Sequence, residues 1–86
     1  MEIVYSEKAV KSLKNIVKAD KKTAQRIINA IEDYAQNPFG VSDVKFLKGE
    51  FGDFKRLRVG DYRIIFDEEN NVINVYNIKH RKEAYR

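Results

Sequence analysis

Apolar side chains recur along this chain with a spacing that changes from segment to segment, and the changes mark out its elements. Residues 2–5 (Glu-Ile-Val-Tyr) read as a short strand. Beyond Ser6 the spacing lengthens. Val10, Leu13, Ile16 and Val17 recur at three- and four-residue steps, which predicts an amphipathic helix over residues 7–18. Ser6 is its expected N-cap, and Glu7 in the first turn meets the positive end of the helix dipole. Asp20 can cap a second helix. Its stripe of Ala24, Ile27, Ile28, Ala30, Ile31, Tyr34 and Ala35 stops before Asn37-Pro38 and Gly40. Two helices joined by so short a polar link should fold back as an antiparallel hairpin, and their apolar stripe needs a cover.

The second half supplies one. Residues 41–53 carry Gly49 and Gly52 and read as a loop, with a candidate short strand near Val44–Leu47. Residues 54–59 then alternate, Gly60-Asp61 signals a tight turn, and Tyr62–Asp67 alternates again. Glu68–Asn71 makes a second turn before the strand Val72–Ile78. The expected fold is one α+β domain over residues 1–86, in the order β-α-α-β-β-β: a strand, a helical hairpin and an antiparallel meander. Alternation puts Leu57, Val59, Tyr62, Ile64 and Phe66 against the helices and Arg56, Arg58 and Arg63 on the open face. The reverse choice would bury three guanidinium groups unpaired. The last strand is apolar on both sides, and its register stays open. Tyr5, Tyr34, Tyr62 and Phe66 fall on core stripes and read as packing.

Charge sharpens this picture. The chain of 86 residues has 17 Lys and Arg against 13 Asp and Glu, a net charge of +4. Six of the seven basic residues in the first half are lysines, and Lys8, Lys11, Lys14 and Lys18 read as a solvated face of the first helix. Five of the ten in the second half are arginines, whose planar fork matches phosphate. There is no cysteine, which excludes disulfides and thiolate-bound zinc. With a single histidine, His80, neither a histidine metal cluster nor a cofactor is expected. No apolar run approaches the ~20 residues of a membrane span. The N-terminus lacks the apolar core of a signal peptide, so the cytosol is the expected location.

The end of the chain, Lys79-His80-Arg81-Lys82-Glu83-Ala84-Tyr85-Arg86, leaves the last strand beside the arginine face. It reads either as a charged tail or as part of a site. Arg81 can hold a phosphate, histidine can exchange a proton near neutral pH, and Tyr85 can stack on a base. With Arg63 these groups suit RNA. The 2′-hydroxyl is a built-in nucleophile, so cleavage needs a base, an acid and positive charge on the transition state.

The run LRVGDYRIIFD (Leu57–Asp67), a short turn, an apolar strand and KHRKEAY (Lys79–Tyr85) together resemble the RelE/ParE superfamily of toxins from bacterial and archaeal toxin–antitoxin pairs. The N-terminal strand and helical hairpin match that layout too, so the resemblance spans essentially the whole chain. The ending is similar to the RelE branch, known as ribosome-dependent mRNA endonucleases. The ParE branch, known as gyrase poisons, shares the fold and the Tyr-Arg strand but generally lacks the terminal basic-aromatic cluster. For this sequence the RelE resemblance implies that Arg63 contacts the scissile phosphate, that Arg81 is a second catalytic arginine, and that Tyr85 stacks on the nucleotide. The family's lysine pair corresponds to Lys55-Arg56, with a loop one residue shorter before Tyr62. His80, Tyr85 and Lys55 are the expected proton carriers. Lys45, Lys48, Arg56, Arg58, Lys79 and Lys82 are the expected RNA contacts. The implied partners are a RelB-like antitoxin, in a heterotetrameric complex, and mRNA on the ribosome, with no membrane.

Overall fold

The computed structural model describes residues 1–40, 43–49 and 52–84, with the backbone alone described at 48, 49, 52, 53, 83 and 84. Strand β1 (Glu2–Tyr5) leads into helices α1 (Glu7–Ala19) and α2 (Lys21–Gln36). Ser6 caps α1, its Oγ accepting from the Ala9 N–H at 3.0 Å. Asp20 is the whole link between the helices. Its N–H donates to the Ile16 carbonyl at 2.7 Å to close α1, while its carboxylate accepts from the Thr23 N–H and hydroxyl to open α2. A single 3-10 turn, Pro38–Gly40, stops the hairpin.

Strands β2 (Val44–Gly49), β3 (Gly52–Val59), β4 (Tyr62–Glu69) and β5 (Val72–His80) follow, and α3 (Arg81–Ala84) ends the described chain. The candidate strand at residue 44 thus forms and extends the meander to four strands. The sheet order is β1-β5-β4-β3-β2, with β1 parallel to β5 and the other pairs antiparallel. The last strand is therefore flanked by β4 along its length and by β1 over Val72–Val75, which covers the first part of the edge that looks open in sequence. Asn70 and Asn71, both at positive φ (52° and 64°), make the β4–β5 turn.

The helices cover one face of the sheet. Ala9 and Ile16 of α1 and Ala24, Ile27, Ile31 and Tyr34 of α2 pack on Leu57, Ile64, Phe66, Ile73, Val75 and Ile78. Tyr34 meets Phe66 edge-on, with ring centroids 5.0 Å apart. Ala9 is fully buried, and its small side chain lets α1 lie close on the sheet. Tyr5, Val59 and Tyr62 pack at the margin of this core.

One irregularity decides the faces of β5. The β4–β5 register shifts between Ile65, opposite Asn77, and Phe66, opposite Val75. Tyr76 is thereby an extra residue in a β-bulge. It is anchored on both sides: its carbonyl accepts from the Ser6 hydroxyl at 2.6 Å and its own hydroxyl donates to Asp67 at 2.8 Å. The inward series runs Ile73, Val75 and then Ile78, all buried.

Candidate functional site

The register lines up cations on the face away from the helices. Lys45 lies opposite Arg56, Arg58 opposite Arg63, and Arg63 opposite Lys79. Like charges directly opposite in a sheet are destabilising, so a row of them runs against stability. Arg81 joins this row because its N–H donates to the Asp61 carbonyl at 2.6 Å, which ties the start of α3 to the β3–β4 turn. That turn uses Gly60 at φ 57°. The result is a hollow of about 210 Å³ whose walls carry Lys45, Arg56, Arg58, Arg63 and Arg81 beside Asp61. Three strands and α3 thus converge on a space suited to an oxyanion.

Arg56 is the wall residue set deepest, with only 7% of its surface exposed. Its Nη1 stands 3.8 Å from the exposed Asp43 carboxylate, and no hydrogen-bond partner for that nitrogen lies among the described residues. The Asp67 carboxylate accepts from Asn74 at 2.9 Å and Tyr76 at 2.8 Å.

Two expected members of the site lie elsewhere. His80 stands opposite Tyr62 in the register and meets its ring edge-on, centroids 5.1 Å apart, in a recess lined by Ser12, Asn15, Ile16 and Ala19 of α1. It faces the helices, and the bulge is the reason. Unbroken alternation from Val75 would turn His80 outward, and the extra residue hands that place to Lys79.

Lys55 is also on the helix side, where the alternation that buries Leu57 carries it. Its Nζ donates to Glu68 at 2.9 Å and to the Tyr34 hydroxyl at 3.2 Å, and stands 5.6 Å from the Phe46 ring centroid. Neither residue lines the hollow. Lys82 is exposed and does not line the hollow. The side chain of Lys48, and Tyr85 entirely, lie outside the described residues.

The cluster around Lys55 has no signature in the sequence pattern. The Tyr34 hydroxyl donates to Glu68, and the three side chains tie α2 to β3 and β4. Burial works against the Glu68 carboxylate, but the hydrogen bonds from Tyr34 and Lys55 outweigh it and hold the group below its ordinary value. Burial likewise works against the Lys55 charge, and the same partners override it and push the ammonium up. Burial and the bond to Glu68 push the Tyr34 phenol up. Among the described residues no group of His, Cys, Asp and Glu could hold a metal ion, and no helix is long and apolar enough to cross a membrane.

The family model for the ParE toxin of type II toxin–antitoxin systems, parDE, matches residues 3–85. The chain belongs to this toxin family. As a RelE/ParE superfamily toxin it is 28% identical over 85 residues to Toxin RelE3 of Methanocaldococcus jannaschii, covering 99% of this chain and 96% of the relative. It superposes on the archaeal RelE–RelB complex from Pyrococcus horikoshii with a TM-score of 0.76 at 26% identity, over 93% of each chain. Its fold is also similar to that of the heterotetrameric YoeB–YefM toxin–antitoxin complex from Staphylococcus aureus, with a TM-score of 0.78 at 20% identity over 93% of this chain and 95% of the other. The α+β fold expected from sequence is the fold of these toxins.

Proposed function

We propose that this toxin is an endoribonuclease that cleaves mRNA in the ribosomal A site. The observation that carries this reading is the convergence of Arg63 and Arg81 on one hollow with Lys45, Arg56 and Arg58. Such a cavity neutralises a phosphate and, more strongly, the extra charge of its pentacoordinate transition state. In the proposed step the ribose 2′-oxygen bonds to phosphorus as the bond from phosphorus to the 5′-oxygen breaks. The products are a 2′,3′-cyclic phosphate and a 5′-hydroxyl. A base takes the 2′ proton and an acid supplies one to the leaving oxygen. Arg63 and Arg81 hold the phosphate. Of the three expected proton carriers, Lys55 and His80 face the helices, which leaves Tyr85 in the proposal. Lys79, beside Arg63 in the register, and Lys45, Lys48, Arg58 and Lys82 serve the flanking RNA.

A RelB-like antitoxin, assembling with the toxin as a heterotetramer, completes the proposal, and the complexes formed by its structural relatives support it. Phe39 and Phe46, 100% and 63% exposed, are apolar surface that a protein partner would cover. The cytosol is the proposed place of action.

The family description favours a second reading, in which the chain poisons DNA gyrase without cutting RNA. Mapping mRNA 5′ ends after induction separates the two. New ends clustered within codons, absent for Arg63→Ala, are the expected result. Intact mRNA with accumulating DNA breaks would instead establish the gyrase reading.

A further inference from the structure

We infer that His80 is a positioning residue: its neutral imidazole caps the terminal turn that delivers Arg81 to the hollow. The inference rests on the ribonuclease reading of that hollow. His80 sits between two residues of the cationic face, Lys79 and Arg81, yet its own ring lies on the opposite side of the sheet. A side chain turned away from the hollow cannot exchange protons there.

The ring does something else. The Lys82 backbone N–H donates to His80 Nδ1 at 3.2 Å. His80 immediately precedes α3, so this bond satisfies an N–H of the first turn that has no partner within the helix. The ring that accepts it is held by the edge-on contact with Tyr62, whose neighbour Asp61 accepts from the Arg81 N–H at 2.6 Å. The two hydrogen bonds fix consecutive residues. One anchors the backbone of Arg81 to the β3–β4 turn and the other anchors Lys82 to the imidazole. Between them the direction of the Arg81 side chain is set.

A cap of this kind depends on protonation state. Nδ1 accepts only while it carries no proton, which places the single ring proton of the neutral form on Nε2. A doubly protonated ring has two donors and no acceptor, and the cap is lost. The groups facing the ring do not offset that charge. From α1 they are Ser12, Asn15, Ile16 and Ala19; from β4, Tyr62; from β5, Ile78. Its own segment adds Arg81 and Lys82, both cations. Arg81 should therefore be well placed while the ring is neutral and released once the ring is doubly protonated.

The test compares the full chain with His80→Asn and His80→Ala. Asparagine is a good N-cap without an acid–base function, and alanine is neither. Single-turnover cleavage of a defined mRNA on translating ribosomes is measured from pH 5.5 to 8, and the Lys82 amide resonance is followed by NMR over the same range. At pH 8 His80→Ala should be slower by about fivefold, the factor that loss of one cap implies, while His80→Asn retains the unmutated rate. Relative to His80→Asn, the unmutated chain should lose activity in acid, with the Lys82 amide shifting in step.

An asparagine variant as inactive as the alanine variant would overturn the inference and return His80 to proton transfer. So would an alanine variant indistinguishable from the unmutated chain, or a Lys82 amide indifferent to pH. A chain that cuts no RNA, but whose Lys82 amide titrates and loses that response in both variants, would keep the cap and remove only the ribonuclease reading.

Discussion

A guanidinium with 7% of its surface exposed, an ion pair at 3.8 Å and a nitrogen with no hydrogen-bond partner among the described residues is costly for so small a core. Replacing a poorly compensated buried charge by an apolar group of similar size is often neutral or stabilising. Arg56→Met is therefore expected to raise the Tm by several degrees, at about 4–8 °C for each kcal/mol gained in a domain of this size. The same change should weaken RNA binding, because the hollow loses its deepest cation. Calorimetry and RNA titration on one sample check both halves. A lower Tm would mean that the guanidinium is better satisfied than its geometry indicates. The inward place of Lys55 follows from its parity with Leu57 and Val59, although the sequence reading set it among the proton carriers of the site. The burial of Arg56 was not legible in sequence. It depends on Lys45 of β2 lying opposite, and the sequence offered that strand only as a candidate.

At the scale of elements, the helices were the most readable part. Their apolar spacing runs unbroken, and Ser6 and Asp20 cap them as their residue types suggest. The meander was readable where Gly60 and the Asn70-Asn71 pair punctuate it. Its cross-strand register carries a conflict, with Arg58 facing Arg63. Arg58→Glu converts this repulsion into an opposite-charge pair, worth about 0.2–1 kcal/mol of added stability. It should also weaken RNA binding and make it less sensitive to salt. The slope against salt should fall by about 0.7 for each single-strand phosphate that the variant no longer neutralises. Denaturant midpoints and salt titrations measure the two effects. Unchanged RNA affinity would place the binding face elsewhere.

For the molecule as a whole, the Tyr34–Glu68–Lys55 cluster joins helix to sheet across the core margin and sets the pH range of stability. Glu68 is held below its ordinary value, so its contribution is complete above the unfolded carboxylate range and lost as pH falls through the folded value. Lys55 and Tyr34 are held above theirs, so their contributions are complete at lower pH and lost as pH rises through the folded values, above about pH 10. Urea midpoints should be level through neutrality and fall at both extremes. Lys55→Met should move the acid fall to higher pH, because Glu68 loses a partner that keeps it ionised. An unshifted acid limb would assign that limb to other carboxylates. The overall architecture was legible because the periods, caps and turns agree. The meeting of Arg81 with Arg63 was one of two readings of the chain's exit beside the arginine face, and only family resemblance favoured it, since no local pattern says where a chain turns after its last strand.

The bulge at Tyr76 has a consequence beyond this chain. A strand that gains or loses one residue between its last buried valine and its end interchanges the two side chains offered to the two faces of the sheet. Two toxins ending in the same Lys-His-Arg letters can thus present a lysine on the open face of the sheet in one case and an imidazole in the other. Aligning such endings letter by letter pairs residues that do different chemistry. Counting outward from the buried positions gives the correct correspondence.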